Sequence, residues 1–280
     1  MGLNPFWQED VLLTVQDFFP ATRIFQTQPY FIIQCGNDLF IHLIPLAHPF
    51  DPAALVALQE DYRQRNIQLV QLWEDVWLAK RAQVLSRLHS FLGMNKSLHG
   101  RKTAVITIDQ NLARTFLNNY HIQGFVNAAH FYGLVLNHEL IAVAGFSRAR
   151  PMKDKGNHYL SAELVRFASK DGCTVVGGLS KLIKYFLGQT KVHDLMTYAD
   201  RDWSLGKGYG RIGFSLSGTT PPAYLFVHRE TLVRHFAHRL PKELLSDFDL
   251  QKTLTFDDYL ASKGWLKVFN TGNLRYYLYL

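Results

Sequence analysis

The chain has 280 residues, 48% hydrophobic and 19% charged, which excludes a disordered polymer and suits one large domain or two ordinary ones. Its net charge of +7 is uneven: residues 1–79 hold three bases against nine acids, and residues 80–280 hold 27 bases against 14 acids. A basic body of that kind suits a polyanion, either nucleic acid or a phosphate-bearing cofactor, and equally a plain solvated surface.

In chain order, YFIIQCGNDLFIHLIPL reads as two strands around a Gly36-Asn37-Asp38 turn. DPAALVALQEDYRQRN reads as a helix, with Asp51 as N-cap and Pro52 at its first position. IQLVQLW is an apolar strand, and EDVWLAKRAQVLSRLHSFLG a long helix stopped by Gly93. Residues 1–93 thus make a β-β-α-β-α unit, and MNKSLHGRK, about residues 94–103, reads as a linker. Beyond it TAVITID is a strand, QNLARTFLNNYH a helix, and FYGLVLNHELIAVAGFSRA a hairpin turning at Asn137-His138. SAELVRFASK is a strand, SKLIKYFLGQ a helix, DLMTYAD a strand and PAYLFVH a late strand, so the class is α/β or α+β. Residues 229–280 form an extension that ends in a closing hairpin, GWLKVFNTGNLRYYLYL, bent at Thr271-Gly272-Asn273. No apolar run spans a bilayer, the start lacks a secretory signal, and Cys35 and Cys173 are far apart; the expectation is a cytoplasmic protein with no membrane partner.

Leu179, Leu182, Ile183, Phe186 and Leu187 form one apolar helical stripe, with Gly177-Gly178 directly before it. Strand, glycine bend and helix N-terminus together make a setting for pyrophosphate: free amides point outward and the helix dipole favours anions. Val176, Gly177, Gly178, Leu179, Ser180 and Lys181 would then line it. On the motif alone a tight turn is the better account of the two glycines, and the Walker order is absent. Downstream, Asp200, Arg201, Asp202, Trp203 and Ser204 cluster at a strand end, where open α/β folds place ligands. Asp200 would act as base or orient an amine, or else cap the turn; Trp203 would stack on a base, or else fill the core.

The block LMTYADRDWSLGKGYGRIGF follows the bend, and Tyr209 stands four residues before Gly213-Phe214. Here the chain resembles the GNAT N-acyltransferases. That resemblance implies a mixed sheet flanked by helices, acetyl-CoA or a related acyl-CoA with its pyrophosphate at the bend, and Tyr209 as general acid for the departing thiolate. The chain departs from the pattern in its bend, TVVGGLS, and in Gly206, Gly208 and Gly210, which break up the tyrosine's helix. More specifically, residues 104–228 resemble a phage-associated, Mom-type DNA-modification module found in homing-endonuclease-like proteins. This implies a nucleic-acid acceptor. His121 and Gln123, in NYHIQGF, match that module's shared stretch, and Arg166 lies on the strand feeding the bend. His121 would exchange protons; Gln123, Arg166, Trp203, Ser204 and Arg201 would bind substrate.

Ile67 to Lys102 is similar to the last strand and helix of a very-short-patch-repair endonuclease. Such a nuclease needs an acid and then Glu-x-Lys, the carboxylates to hold Mg²⁺ and the lysine to assist the attacking water. After Asp38 the chain offers LFIHLIPLAH, with neither acid nor lysine, and the segment is acidic overall. The expectation is a degenerate, noncatalytic nuclease-like domain and no metal site, with Glu74 and Asp75 as helix N-terminal acids.

Overall fold

The computed structural model describes residues 3–156, 158–250 and 253–280. The chain is mixed α/β and divides into two compact units. The first takes the chain up to Lys80, Asp200–Leu205 and Thr220–Asn273; the second takes Arg81–Ala199, Gly206–Thr219 and Leu274–Leu280.

In the first unit a four-stranded sheet runs in the order Arg23–Gln26, Ile32–Cys35, Leu39–Ile44, Gln68–Trp73. The Gly36 turn is as read, and the strands around it pair antiparallel. Helix Pro52–Gln64 carries the crossover to the parallel strand Gln68–Trp73. Its N-cap is Asp51, which accepts the Ala54 amide at 2.8 Å. A helix, Trp7–Phe18, precedes these elements. All six positions of Leu39–Ile44 are buried, as expected of a strand covered on both faces. A three-stranded sheet, Arg234–His235, Tyr224–His228 and Trp265–Phe269, completes the unit. Val227, Val268 and Phe269 share one core cluster with Ile44, Leu55 and Trp73.

Three buried acids of this unit have hydrogen-bond partners. Glu74 accepts the amides of Asn4 at 2.8 Å and Leu46 at 3.0 Å. Asp75 takes a bidentate pair from Arg234, at 2.6 and 2.8 Å. Asp202 accepts the Thr271 amide at 3.0 Å and its hydroxyl at 2.5 Å. Burial and the neighbouring Asp200 carboxylate push the Asp202 carboxyl from 3.8 up to about 7, despite those bonds. Between these two values the folded state binds the proton that the unfolded state releases. Stability therefore falls as pH rises through that window and levels off above it. Asp202→Asn is expected to flatten this slope; denaturant titrations at about pH 5 and about pH 8 measure it, and an unchanged slope refutes the assignment.

In the second unit an eight-stranded mixed sheet has the order Ser215–Thr219, Asn273–Tyr279, Asp194–Asp200, Leu160–Ser169, Glu139–Phe146, His130–Leu136, Ala104–Thr107, and Arg150–Pro151 pairs with Leu160–Ser169. Helix Gly178–Gln189 buries Leu182, Ile183 and Phe186 among Tyr132, Ala142, Ala144 and Leu195. Helix Gln110–Tyr120 buries Ala113, Phe116 and Leu117 with Phe131 and Val143. Successive strand residues face opposite ways, so the two helices cover the two faces of the sheet. Asn137 and His138 turn the central hairpin with φ of 50° and 65°, the left-handed pair that a two-residue turn needs.

Two sequence expectations differ from what is found. Trp265–Phe269 and Asn273–Tyr279 do not pair as a hairpin: the former joins Tyr224–His228 and the latter lies between Ser215–Thr219 and Asp194–Asp200. The bend is held instead by the Thr271 bonds to Asp202 and by Gly272, at φ 84°, where a side chain would strike the Thr220 carbonyl. Within the segment read as a linker, Lys96–His99 is a strand paired parallel with Cys173–Val176. Among the described residues no helix is long and apolar enough to cross a membrane.

Candidate functional site

The glycine bend joins strand Cys173–Val176 to helix Gly178–Gln189. Gly177 is the N-cap at φ 72°, and no side chain caps the helix. Space around the missing Cβ of Gly177 is open. Gly178 is there for packing: a Cβ would stand 2.8 Å from Val175 and 2.9 Å from Leu134. The backbone of Gly100 lies against the same peptide, so close that a Cβ on Gly100 would meet Gly177 and Gly178 at 3.0 Å. Lys181 does not point freely outward; its ammonium donates to the carbonyls of Gly100, at 3.0 Å, and Thr103. That tie holds the short 3-10 turn Gly100–Lys102 beside the helix start and leaves Arg101 and Lys102 exposed next to it. An uncapped N-terminus with open space and flanking cations fits a pyrophosphate. Ser180 is half-buried and Val176 exposed at the same turn.

A second feature lies inside the sheet. Strands Leu160–Ser169 and Asp194–Asp200 pair in parallel only from Ser161↔Asp194 to Leu164↔Thr197, although both continue further. The register of Leu160–Ser169 with Glu139–Phe146 slips between Leu164 and Arg166 at the same level. Main-chain edges beyond Leu164 and Thr197 therefore go without that pairing, in the interior of the sheet.

The Tyr209 side chain reaches this point. Its hydroxyl lies beside Thr197, whose own hydroxyl donates to the Leu164 carbonyl at 2.9 Å. Tyr209 sits on a helix of one turn, Lys207–Gly210, and its ring packs against Phe214 and Tyr276 at 5.6 and 5.4 Å. Gly206, at φ 70°, begins that turn because a side chain there would collide with Tyr276. Burial raises the phenol above its ordinary 10, outweighing Thr197 and the nearby Arg87 and Arg166 cations. The hydroxyl therefore keeps its proton at neutral pH.

His121 and Arg166 belong to the same neighbourhood. Arg166 donates from Nε to the Gly124 carbonyl at 3.3 Å and from Nη1 to the Val165 carbonyl at 2.9 Å. His121 Nδ1 accepts the Gln123 amide at 3.1 Å, so the neutral ring carries its proton on Nε2. Burial, then the charges of Arg166 and Arg87, push its pKa down to about 3. An imidazole so placed is a hydrogen-bond donor and a poor base. The Gln123 side chain is exposed. The bend's neighbours are Gly100, Leu134 and Val175, whereas the Tyr209 hydroxyl has Thr197, Arg87 and Arg166.

Asp200, Arg201, Trp203 and Ser204 fall in the first unit. Asp200 accepts the Asp202 amide at 3.0 Å, which is turn capping. Arg201 donates to the Thr271 carbonyl at 3.3 Å and lies 3.9 Å from Glu60. Trp203 is buried, 8% exposed. Among the described residues no group of three or more His, Cys, Asp or Glu is placed to hold a metal ion.

Sequence reasoning passed over Arg87, Arg101 and Lys102. Arg87 stands off the apolar stripe of its helix and reads as a solvated cation. The available signal was that no acid stands within four positions of it to pair along the helix.

No protein-family model matches the chain, and no curated protein matches it. Among solved structures it is similar to a Bacillus subtilis acetyltransferase in complex with CoA, at 12% identity and TM-score 0.35, over 64% of this chain and 99% of that one. A GNAT family acetyltransferase from Elizabethkingia anophelis with acetyl-CoA bound gives 12% and 0.36, over 64% and 99%. An N-acyl amino acid synthase from uncultured soil microbes gives 14% and 0.33, over 72% and 88%.

Proposed function

We propose that the chain is a GNAT-like, acyl-CoA-dependent N-acyltransferase that works on nucleic acid. The observation that carries this reading is the half-buried Tyr209 side chain, packed on Phe214 and Tyr276 beside Thr197, at the level where two parallel strands stop pairing. An extended, amide-bearing chain suits main-chain edges of that kind, as an added strand does. The bend at Gly177 and the cations of Arg101 and Lys102 suit the polyphosphate end of the same molecule. The acyl-CoA would supply a thioester and a thiol leaving group. Tyr209 Oη holds the proton that a leaving sulfur takes, and Thr197 lies beside it. The His121 Nε2–H and the Arg166 guanidinium line the acceptor side.

A base in nucleic acid is the acceptor we assign. This draws on the excess of basic residues from 80 to 280 and on the resemblance to the phage-associated module. The N-terminal part stays noncatalytic in this reading, since its buried strand Leu39–Ile44 presents His42 and no acid.

Calorimetry with CoA tests the donor. Gly177→Asp is the appropriate variant, since Gly178 has no room even for a methyl group. Aspartate tolerates the left-handed region and would cap the bare amides itself. CoA affinity is expected to fall at least about tenfold with the fold retained. Unchanged affinity removes the bend from the site, and no CoA binding by the wild type ends the transferase reading. Transfer of a labelled acetyl group to duplex or single-stranded DNA tests the acceptor.

A further inference from the structure

We propose that the sheet face of the second unit that carries Tyr198, Arg275, Tyr277 and Tyr279 is a stacking platform for a single strand of nucleic acid. Its role as a substrate site rests on the transferase reading; the platform itself stands on strand register, exposure and charge.

Three neighbouring strands build this face. The Leu280 amide donates to the His193 carbonyl at 3.0 Å, and the Arg201 amide to the Gly272 carbonyl at 3.1 Å. Strands Asp194–Asp200 and Asn273–Tyr279 therefore run antiparallel, with Tyr198 across from Arg275, Met196 from Tyr277 and Asp194 from Tyr279. On the other side Ser161 and Glu163 pair with Asp194 and Met196. Leu195, Ala199, Leu274 and Tyr276 share one core cluster with helix Gly178–Gln189, so the residues between them point to the opposite face. Helix Gln110–Tyr120 gathers Phe131, Val143 and Ala168 and leaves these tyrosines outside its cluster. Tyr198 is 38% exposed and Tyr279 60%. The Tyr277 and Tyr279 rings stack, with centroids 5.8 Å apart.

Cations are drawn over the same surface. The Lys155 ammonium stands 4.6 Å from the Tyr277 ring centre and 5.7 Å from that of Tyr279. Arg150 Nη2 lies 3.5 Å from Met196 Sδ. The Arg275 side chain makes no hydrogen bond or ion pair among the described residues, and its Nε is buried without an acceptor. Its Nη2 lies over Gly218, 3.4 Å from where a Cβ would stand. The acids level with the tyrosines are Glu163, which is half-buried, and Asp194, which is sealed under Ser161, Tyr159 and Lys155. Exposed rings interleaved with cations fit a nucleic-acid strand: its phosphates meet the guanidiniums and its bases lie on the tyrosines. The rows from Tyr198 to Tyr279 span about 13 Å, room for more than one base. A duplex keeps its base faces stacked inside, so the unpaired strand is the form this surface takes.

The test uses the full chain without acyl donor. A fluorescent oligothymidylate, the same strand in duplex with oligoadenylate, and a fluorescent oligoglutamate peptide are titrated by anisotropy. The single strand is expected to bind tightest, with an affinity that falls steeply with salt. Tyr198→Ala and Tyr279→Ala are each expected to weaken it at least about fivefold, and Arg275→Gln to make the salt slope shallower. Tyr198→Phe keeps the ring and is expected to bind within about twofold of wild type. No binding of the single strand, a preference for the duplex or for oligoglutamate, or unchanged affinity in both alanine variants overturns the platform. If Arg275→Gln does not fold, the variants at the two exposed tyrosines decide. CoA binding is measured on the same samples. Intact CoA binding without a response to the tyrosine variants sinks only the platform, and strand binding that those variants weaken, without CoA binding, sinks only the transferase.

Discussion

Tyr209→Phe is expected to lower kcat for acyl transfer about 10²–10⁴-fold while leaving CoA affinity within about twofold. The substitution keeps the ring against Phe214 and Tyr276 and removes only the oxygen beside Thr197. The same hydroxyl gives a pH signature. Because burial raises this phenol above its ordinary 10, its acid form persists through neutrality, and activity falls only as pH climbs through the raised value. The variant should lose that alkaline limb along with the rate. Pre-steady-state transfer and calorimetry on both proteins check the two halves, and a variant with undiminished kcat removes Tyr209 from the chemistry.

Asp75→Ala is expected to destabilise the first unit by about 3 kcal/mol. The carboxylate is 2% exposed and holds Arg234 by two bonds, and Arg234 is itself 23% exposed. Without Asp75 the guanidinium keeps the longer-range attraction of Asp202 and Asp200 and the Trp73 ring 5.8 Å away. The double change Asp75→Leu with Arg234→Met should recover much of the loss, since both charges then leave together. Urea unfolding of the single and double variants measures this. A single variant within about 0.5 kcal/mol of wild type would show the pair to be idle.

Where local chemistry decides structure, it could be read in advance. The Asp51-Pro52 helix start, the left-handed pair Asn137-His138 and the apolar stripe from Leu179 to Leu187 each depend on neighbours within a few positions. Strand partners do not. Nothing within GWLKVFNTGNLRYYLYL tells that its two strands serve different sheets, because Asp202 and the Thr220 carbonyl, which fix the bend, come from far along the chain. The candidate site divides in the same way. Tyr209, His121 and Arg166 were legible as residue types in a familiar spacing, and the fold brings them together. Arg87 was not legible, since its meaning comes from two elements it meets only after folding. Lys181 had the right charge, but its ammonium is occupied by carbonyls of Gly100 and Thr103.

The place of Asn273–Tyr279 between two strands made much earlier has a consequence for biosynthesis. While the ribosome still shields those residues, Asp194–Asp200 and Ser215–Thr219 wait with a vacant slot between them, their backbones open to any passing strand. The second unit can therefore close its sheet only after translation has passed Tyr279, and until then those two edges stand open to wrong pairing.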